Sequence, residues 1–154
     1  MNVGTLMSSS VLTCTLDHPL SCAARIMWEQ DCGSVAVVDH QGKVIGMVTD
    51  RDICMATYTR DLPPSQMTVG SACSNGLVAV HESDSIEAAE RLMRRHQVRR
   101  LPVVDAEGRP VGMLTIADLA RNAYGGRSDG DLAAETVLTT LAAIATPHRI
   151  AHAD

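Results

Sequence analysis

Two short stretches carry side chains suited to holding a charged ligand. They are Gly46-Met47-Val48-Thr49-Asp50-Arg51-Asp52 and Gly112-Met113-Leu114-Thr115-Ile116-Ala117-Asp118. In each, a threonine stands three residues before an aspartate, where an apolar run gives way to a helical pattern. A hydroxyl beside the free amides of a helix N-terminus can bind phosphate. A carboxylate one turn further in can accept two hydrogen bonds from a ribose diol. The same pair is also a capping box, each side chain satisfying amides near the other, and both readings stand. Ile116 and Ala117 replace Asp50 and Arg51, so the second corner has two fewer polar groups. Arg91, Arg94, Arg95, Arg99 and Arg100 form a basic cluster. The first three fit a solvated helix face, whereas Arg99 and Arg100 fall at a helix-to-strand junction where they could meet a phosphate.

Cysteine and histidine could supply metal or redox chemistry. The five cysteines, Cys14, Cys22, Cys32, Cys54 and Cys73, include no C-x-x-C pair, and their spacing matches no zinc module. They read as small apolar residues, and no metal site is expected. His18, His40, His81, His96, His148 and His152 are scattered. No H-E-x-x-H, G-x-S-x-G, Walker loop or G-x-G-x-x-G occurs, so no catalytic role is expected.

Composition narrows the field further. The chain has 154 residues, a formal net charge of −5, no phenylalanine and only three aromatic residues: Trp28, Tyr58 and Tyr124. The negative charge disfavours binding to duplex DNA or anionic membranes by bulk electrostatics. Three aromatics can hardly build a stacking platform for single strands. No apolar run approaches the ~18 residues of a membrane span, and the N-terminus lacks the basic and apolar regions of a secretory signal. These features suggest a cytoplasmic protein whose core is Val, Ile, Leu, Ala and Met.

The positioning elements come in two copies. Shifted by 66 residues, positions 3–55 fall on 69–121 without a gap and with 14 identities. These include Ala23/Ala89, Met27/Met93, Val37/Val103, Asp39/Asp105, Gly46/Gly112, Thr49/Thr115 and Asp52/Asp118. A repeat of this length signals duplicated supersecondary units.

Each unit reads as β-α-β-β-α. A first strand is expected at 11–14 and 77–80. A helix follows, with Pro19 near its start in one copy and Asp84 and Glu87 as a capping pair in the other. Apolar positions 20, 23, 24, 27 and 86, 89, 92, 93 mark one helix face. A hairpin comes next, strands 35–38 and 44–48 or 101–104 and 111–114, with its glycine explained by the hairpin. Thr49 or Thr115 then opens the second helix. This places repeats at 3–56 and 69–122, with linkers at 57–68 and 123–130. An amphipathic helix over 131–146 presents Leu132, Val137, Leu138, Leu141, Ile144 and Ala145, to its own module or across a dimer.

With both corners in the same β-α-β-β-α order, the chain resembles the cystathionine beta-synthase (CBS) domain pair, or Bateman module, over about residues 3–122. Its Leu101-Pro102-Val103-Val104-Asp105 strand is another mark of that family, with Ala36 in place of the proline in the first copy. The layout is similar to stand-alone bacterial CBS proteins. The resemblance implies an α/β fold in which the repeats pack through their sheets about a pseudo-twofold axis. Two clefts between them would take adenosine nucleotides (AMP, ADP or ATP) or S-adenosylmethionine as regulatory ligands, with no required cofactor.

Carried across, one cleft would combine Thr49, Arg51 and Asp52 with Val78, Val98, Arg99 and Arg100. The other would combine Thr115 and Asp118 with Ser10, Leu12, Cys32, Gly33 and Ser34. The arginines would make the Asp52 cleft the tighter one. A homodimer is expected, with the 131–146 helix near the contact and a protein target possible. An interaction scaffold with empty clefts and a metal or redox sensor are the rivals.

Overall fold

The computed structural model describes residues 1–74, 76–125 and 133–147. The first repeat comprises β1 (Thr13–Thr15), α1 (Leu20–Glu29), β2 (Ser34–Val38), β3 (Val44–Thr49) and α2 (Asp50–Arg60). The second comprises β4 (Val80–His81), α3 (Ile86–His96), β5 (Arg100–Val104), β6 (Pro110–Thr115) and α4 (Ile116–Gly125), and α5 (Ala134–Ala145) follows. In each three-stranded sheet the middle strand pairs in parallel with the first and antiparallel with the third. Ser34 lies opposite Thr49, and Arg100 lies opposite Thr115.

Strand periodicity distributes the core. Val35 and Val37 pack with Leu20, Ala23 and Met27 of α1 in one cluster. Successive side chains point to opposite faces, so Ala36 and Val38 instead join Val44, Val104 and Ala79 in a cluster that ties the two sheets together. β2 is therefore buried along its whole length, as a strand covered on both faces must be.

The repeats also exchange their leading segments. Val3 is buried in the core of repeat 2, and Val69 in the core of repeat 1. The backbone bonds match pairwise: Val3 N–H to the Asp84 carbonyl (2.9 Å) and Val69 N–H to that of His18 (2.8 Å), then Gly4 to Glu82 (3.0 Å) and Gly70 to Leu16 (2.9 Å). These equivalences express the pseudo-twofold relation. Each repeat needs the other to complete its core.

Several boundaries differ from expectation. The first strands begin later, at Thr13 and Val80, because Ser8, Val11, Ser74 and Ala79 serve the inter-repeat contact. α2 continues to Arg60, where Asp61 adopts a left-handed conformation, so the segment expected as linker from 57 begins helical. α4 likewise reaches Gly125; the rest of the 123–130 linker, and Leu132, lie outside the described residues. The capping of α3 is by Ser85, whose hydroxyl accepts from Ala88 N–H at 3.2 Å. Asp84 instead accepts from His81 N–H at 2.8 Å and holds the strand-to-helix corner.

The helix expected over 131–146 is present as α5, but its buried face is Val137, Thr140 and Ile144. Leu138 and Leu141 are exposed. The face turns because α3 offers polar partners. Thr140 donates to Glu90 (3.0 Å), Arg94 donates to Thr140 (2.6 Å), and Gln97 donates to the Ala143 carbonyl (3.2 Å). This face of α5 is thus spent on its own chain rather than left for a second copy.

Candidate functional site

Both Thr-x-x-Asp corners form the same closed figure. Thr49 caps α2; its N–H and hydroxyl both donate to Asp52 Oδ2 at 2.8 Å, and Asp52 N–H donates back to the hydroxyl at 3.2 Å. Thr115 and Asp118 repeat it at 2.8, 2.7 and 3.2 Å. The capping reading is thus realised twice, and it consumes one carboxylate oxygen of each aspartate. Asp118 Oδ1 pairs with Arg121, whereas position 55 of the first repeat is methionine. Asp52 keeps Oδ1 clear of any comparable cation on its own helix.

The corner glycines have a reason unrelated to the hairpin. Gly46 and Gly112 lie inside β3 and β6, where the carbonyls of Ser74 and Ser8 cross them. A Cβ at Gly46 would stand 3.0 Å from the Ser74 oxygen, and one at Gly112 would stand 2.9 Å from that of Ser8. Their neighbours complete the crossing, since Ser8 N–H donates to the Met113 carbonyl at 3.0 Å and Ser74 N–H to that of Met47 at 2.9 Å.

Beside the second corner lies a cavity of about 290 Å³. It brings together Thr115, Ser10, Leu12, Cys32 and Ser34, drawn from both repeats. Gly33 sits between two of these lining residues. Ser8, Val11, Ile26, Gln30 and Met113 also line it, none of them singled out from the sequence. The lining offers hydroxyls, an amide and aliphatic side chains together, which suits a partly polar small molecule.

Arg100 lines this same cavity, a correction to its expected place with Thr49. The cause is strand register: Arg100 opens β5 directly opposite Thr115, so the two are cross-strand neighbours. Its guanidinium also nears Gly33, with Nη2 3.1 Å from where a Cβ there would stand. Arg99 is not among the cavity's lining residues. That side chain is exposed, and its carbonyl accepts from Ile116 N–H at 2.9 Å. Val78 and Val98 are half-buried against the core of repeat 2, and Arg51 is exposed at the start of α2. Around Asp52 the structure places Cys73, whose thiol is held above its usual value by burial and by the Asp52 carboxylate.

A second grouping was invisible in the cysteine spacing. Cys14, His18 and Cys22 bring one ligand atom each within 4.8 Å of one another. Burial, with the neighbouring Cys22 thiol, pushes Cys14 up to about 12. The sequence carries it as Cys-x3-His-x3-Cys, a spacing that gains meaning only where β1, the corner and α1 bring the three side chains together. No helix among the described residues is long and apolar enough to cross a membrane.

Known proteins share this architecture. The CBS domain family model matches residues 3–58 and 69–125. Hypoxic response protein 1 of Mycobacterium tuberculosis is 36% identical over 118 residues, which are 76% of this chain and 81% of that protein. A crystal structure of Hypoxic Response Protein I with two coordinated zinc ions superposes with a TM-score of 0.71 at 33% identity, covering 79% of this chain and 98% of the other. The structure of CBSX2 in complex with AMP gives 0.68 at 25% identity, covering 80% and 96%. The gap-free repeat, the exchanged leading turns and the twice-built corner are thus those of a CBS domain pair, and the chain belongs to the CBS domain family.

Proposed function

We propose that the protein is a regulatory, non-catalytic module of the cytoplasm that binds an adenosine nucleotide in the Thr115 cavity and reports occupancy to a partner protein or a second copy of itself. The observation that carries this reading is the cavity of about 290 Å³ combining Arg100, hydroxyls and an aliphatic wall. Its size is near the lower end of small-ligand sites, roughly 300–1,000 Å³, and suits a nucleoside monophosphate better than ATP. Leu12 and Val11 would face the base, Thr115 and Ser10 the ribose or phosphate, and Arg100 the phosphate. Arginine binds phosphate oxygens in pairs, with charge-assisted bonds roughly twice as strong as neutral ones. A relative of the same fold is known with AMP, which supports the ligand class.

Arg100 reverses the expected ranking of the clefts: the Thr115 cleft is the tighter, and the Asp52 cleft the weaker. Asp118 does not line the cavity in this structure; its Oδ1 would turn to a ribose there once Arg121 swings away. Calorimetric titration of the full chain with AMP, ATP, adenosine and S-adenosylmethionine tests the reading. AMP should bind best, and Arg100→Ser, the residue at the matching position of repeat 1, should weaken AMP about 10-fold or more while leaving adenosine unchanged. Failure of all four ligands to bind would leave an interaction scaffold as the better account.

A further inference from the structure

Cys14 lies on β1, His18 in the corner after it and Cys22 in the first turn of α1. Their ligand atoms approach within 4.8 Å pairwise. A tetrahedral zinc site needs such atoms about 3.5–3.8 Å apart, so rotamer adjustment of exposed His18 and half-buried Cys22 suffices to close it around buried Cys14. We propose that Cys14, His18 and Cys22 form a site for a soft divalent cation of the zinc class, with its fourth position open to water or an incoming side chain.

The internal repeat supplies an argument that proximity alone does not. Val80, Asp84 and Ala88 stand at the matching positions of repeat 2, where β4, the corner and α3 form normally. The fold therefore needs neither thiols nor imidazole there. Both corner side chains accept a hydrogen bond from the amide three residues back. Asp84 does so for His81 at 2.8 Å, and His18 Nδ1 does so for Thr15 at 3.3 Å. Aspartate or imidazole serves that duty equally, but only repeat 1 adds two sulfur ligands beside it. Two thiolates and an imidazole favour zinc-class over magnesium- or calcium-class ions. Arg25 Nη2 lies 4.0 Å from Cys22 Sγ, placed to support the thiolate as an outer-shell donor.

Binding forms two metal–sulfur bonds and one metal–nitrogen bond and releases both thiol protons to solvent. It also has a signature at Thr15. If Nδ1 ligates, its lone pair is used; if Nε2 ligates, the ring proton sits on Nδ1. Either way the Thr15 amide loses its acceptor. β1 would then be clamped to α1 at the point where Val69 and Gly70 also dock, through the carbonyls of His18 and Leu16.

The test uses the untagged full chain, stripped of metal and kept reduced without thiols, titrated with Zn²⁺ against a chromophoric chelator and with Co²⁺ as an optical probe. One ion per chain, a tetrahedral cobalt spectrum with thiolate charge transfer and a displaced Thr15 amide resonance are expected. Cys22→Ala should lower affinity by more than about 100-fold, beyond the roughly 10–100-fold cost of losing a supporting contact. The triple change Cys14→Val, His18→Asp, Cys22→Ala carries the residues repeat 2 already folds with, and should abolish binding. Combined Cys32→Ser, Cys54→Ser and Cys73→Ser should leave it intact. Unchanged affinity in Cys22→Ala, an octahedral cobalt spectrum, or a reduced chain that takes up no zinc yet forms a Cys14–Cys22 disulfide in air would each overturn the site.

Discussion

Thr140→Val should destabilise the protein in a way that depends on pH. Thr140 is fully buried on α5, donating to Glu90 Oε1 at 3.0 Å and accepting from Arg94 at 2.6 Å. Glu90 is also fully buried, and its Oε2 has no partner among the described residues. Burial raises its ionisation point, and the Thr140 bond and Arg94 oppose the rise without cancelling it. A carboxyl that ionises later when folded contributes stability in full below its unfolded pKa near 4.5. That contribution is lost as pH climbs through the folded value. Valine keeps the shape, removes the hydroxyl and pushes the folded value higher still. Loss of the Arg94 bond adds equally at low and high pH. Near pH 4 the Glu90 bond that is lost is neutral, about 0.5–1.5 kcal/mol, whereas at pH 8 it is a bond to a charged group, about 1.5–3 kcal/mol. For a chain of this size that means roughly 1–6 °C at pH 4 and 3–12 °C at pH 8. Thermal unfolding at the two pH values reads it directly. A cost below about 0.5 kcal/mol at pH 8, or the same cost at both, would refute the reasoning.

Glu90→Gln should narrow the stability difference between pH 4 and pH 8, because an amide does not ionise; urea titrations at both values check it. Gly112→Ala would set a Cβ 2.9 Å from the Ser8 carbonyl and against Met7, so it should cost about 1–3 kcal/mol and weaken AMP, read by chemical denaturation and calorimetry. Asp118→Ala removes the acceptor of both Thr115 donors and should cost about 1–2 kcal/mol of stability together with AMP affinity. In Arg121→Met the carboxylate is freed, and AMP should bind equally or more tightly by calorimetry. Light scattering on the wild type should give twice the monomer mass of 16.4 kDa, and Trp28→Asp, on the open face of α1, should return it to one.

The fold was legible because it is written twice. Val37 and Val103, or Gly46 and Gly112, recur at one offset, and a strand-to-helix corner repeated in register leaves few other arrangements. The exchange of leading turns was not legible, because Val3 and Val69 look alike and nothing local says whose core each enters. Arg100 was misplaced for a similar reason. Its proximity to Thr115 comes from antiparallel register, a relation between strands rather than along one. The Cys14, His18 and Cys22 group was hidden by lying on a strand, a corner and a helix, where four-residue spacing has no meaning until the chain turns. In α5, hydropathy favoured Leu138 and Leu141, and a buried glutamate on α3 chose Thr140 instead.

That choice makes the matching positions of the two repeats unlike as docking surfaces. Trp28 on α1 is 88% exposed, while its counterpart on α3, Arg94, is half-buried against α5 and donates to Thr140. A chain with both helix faces open could take a neighbour at each, and head-to-tail contacts that fail to close on themselves grow into fibres. α5 covers the Arg94 position on repeat 2 while leaving its own Leu138 and Leu141 exposed. If Trp28 meets its like across a twofold axis, as in the dimer expected from light scattering, that contact is saturated at two copies.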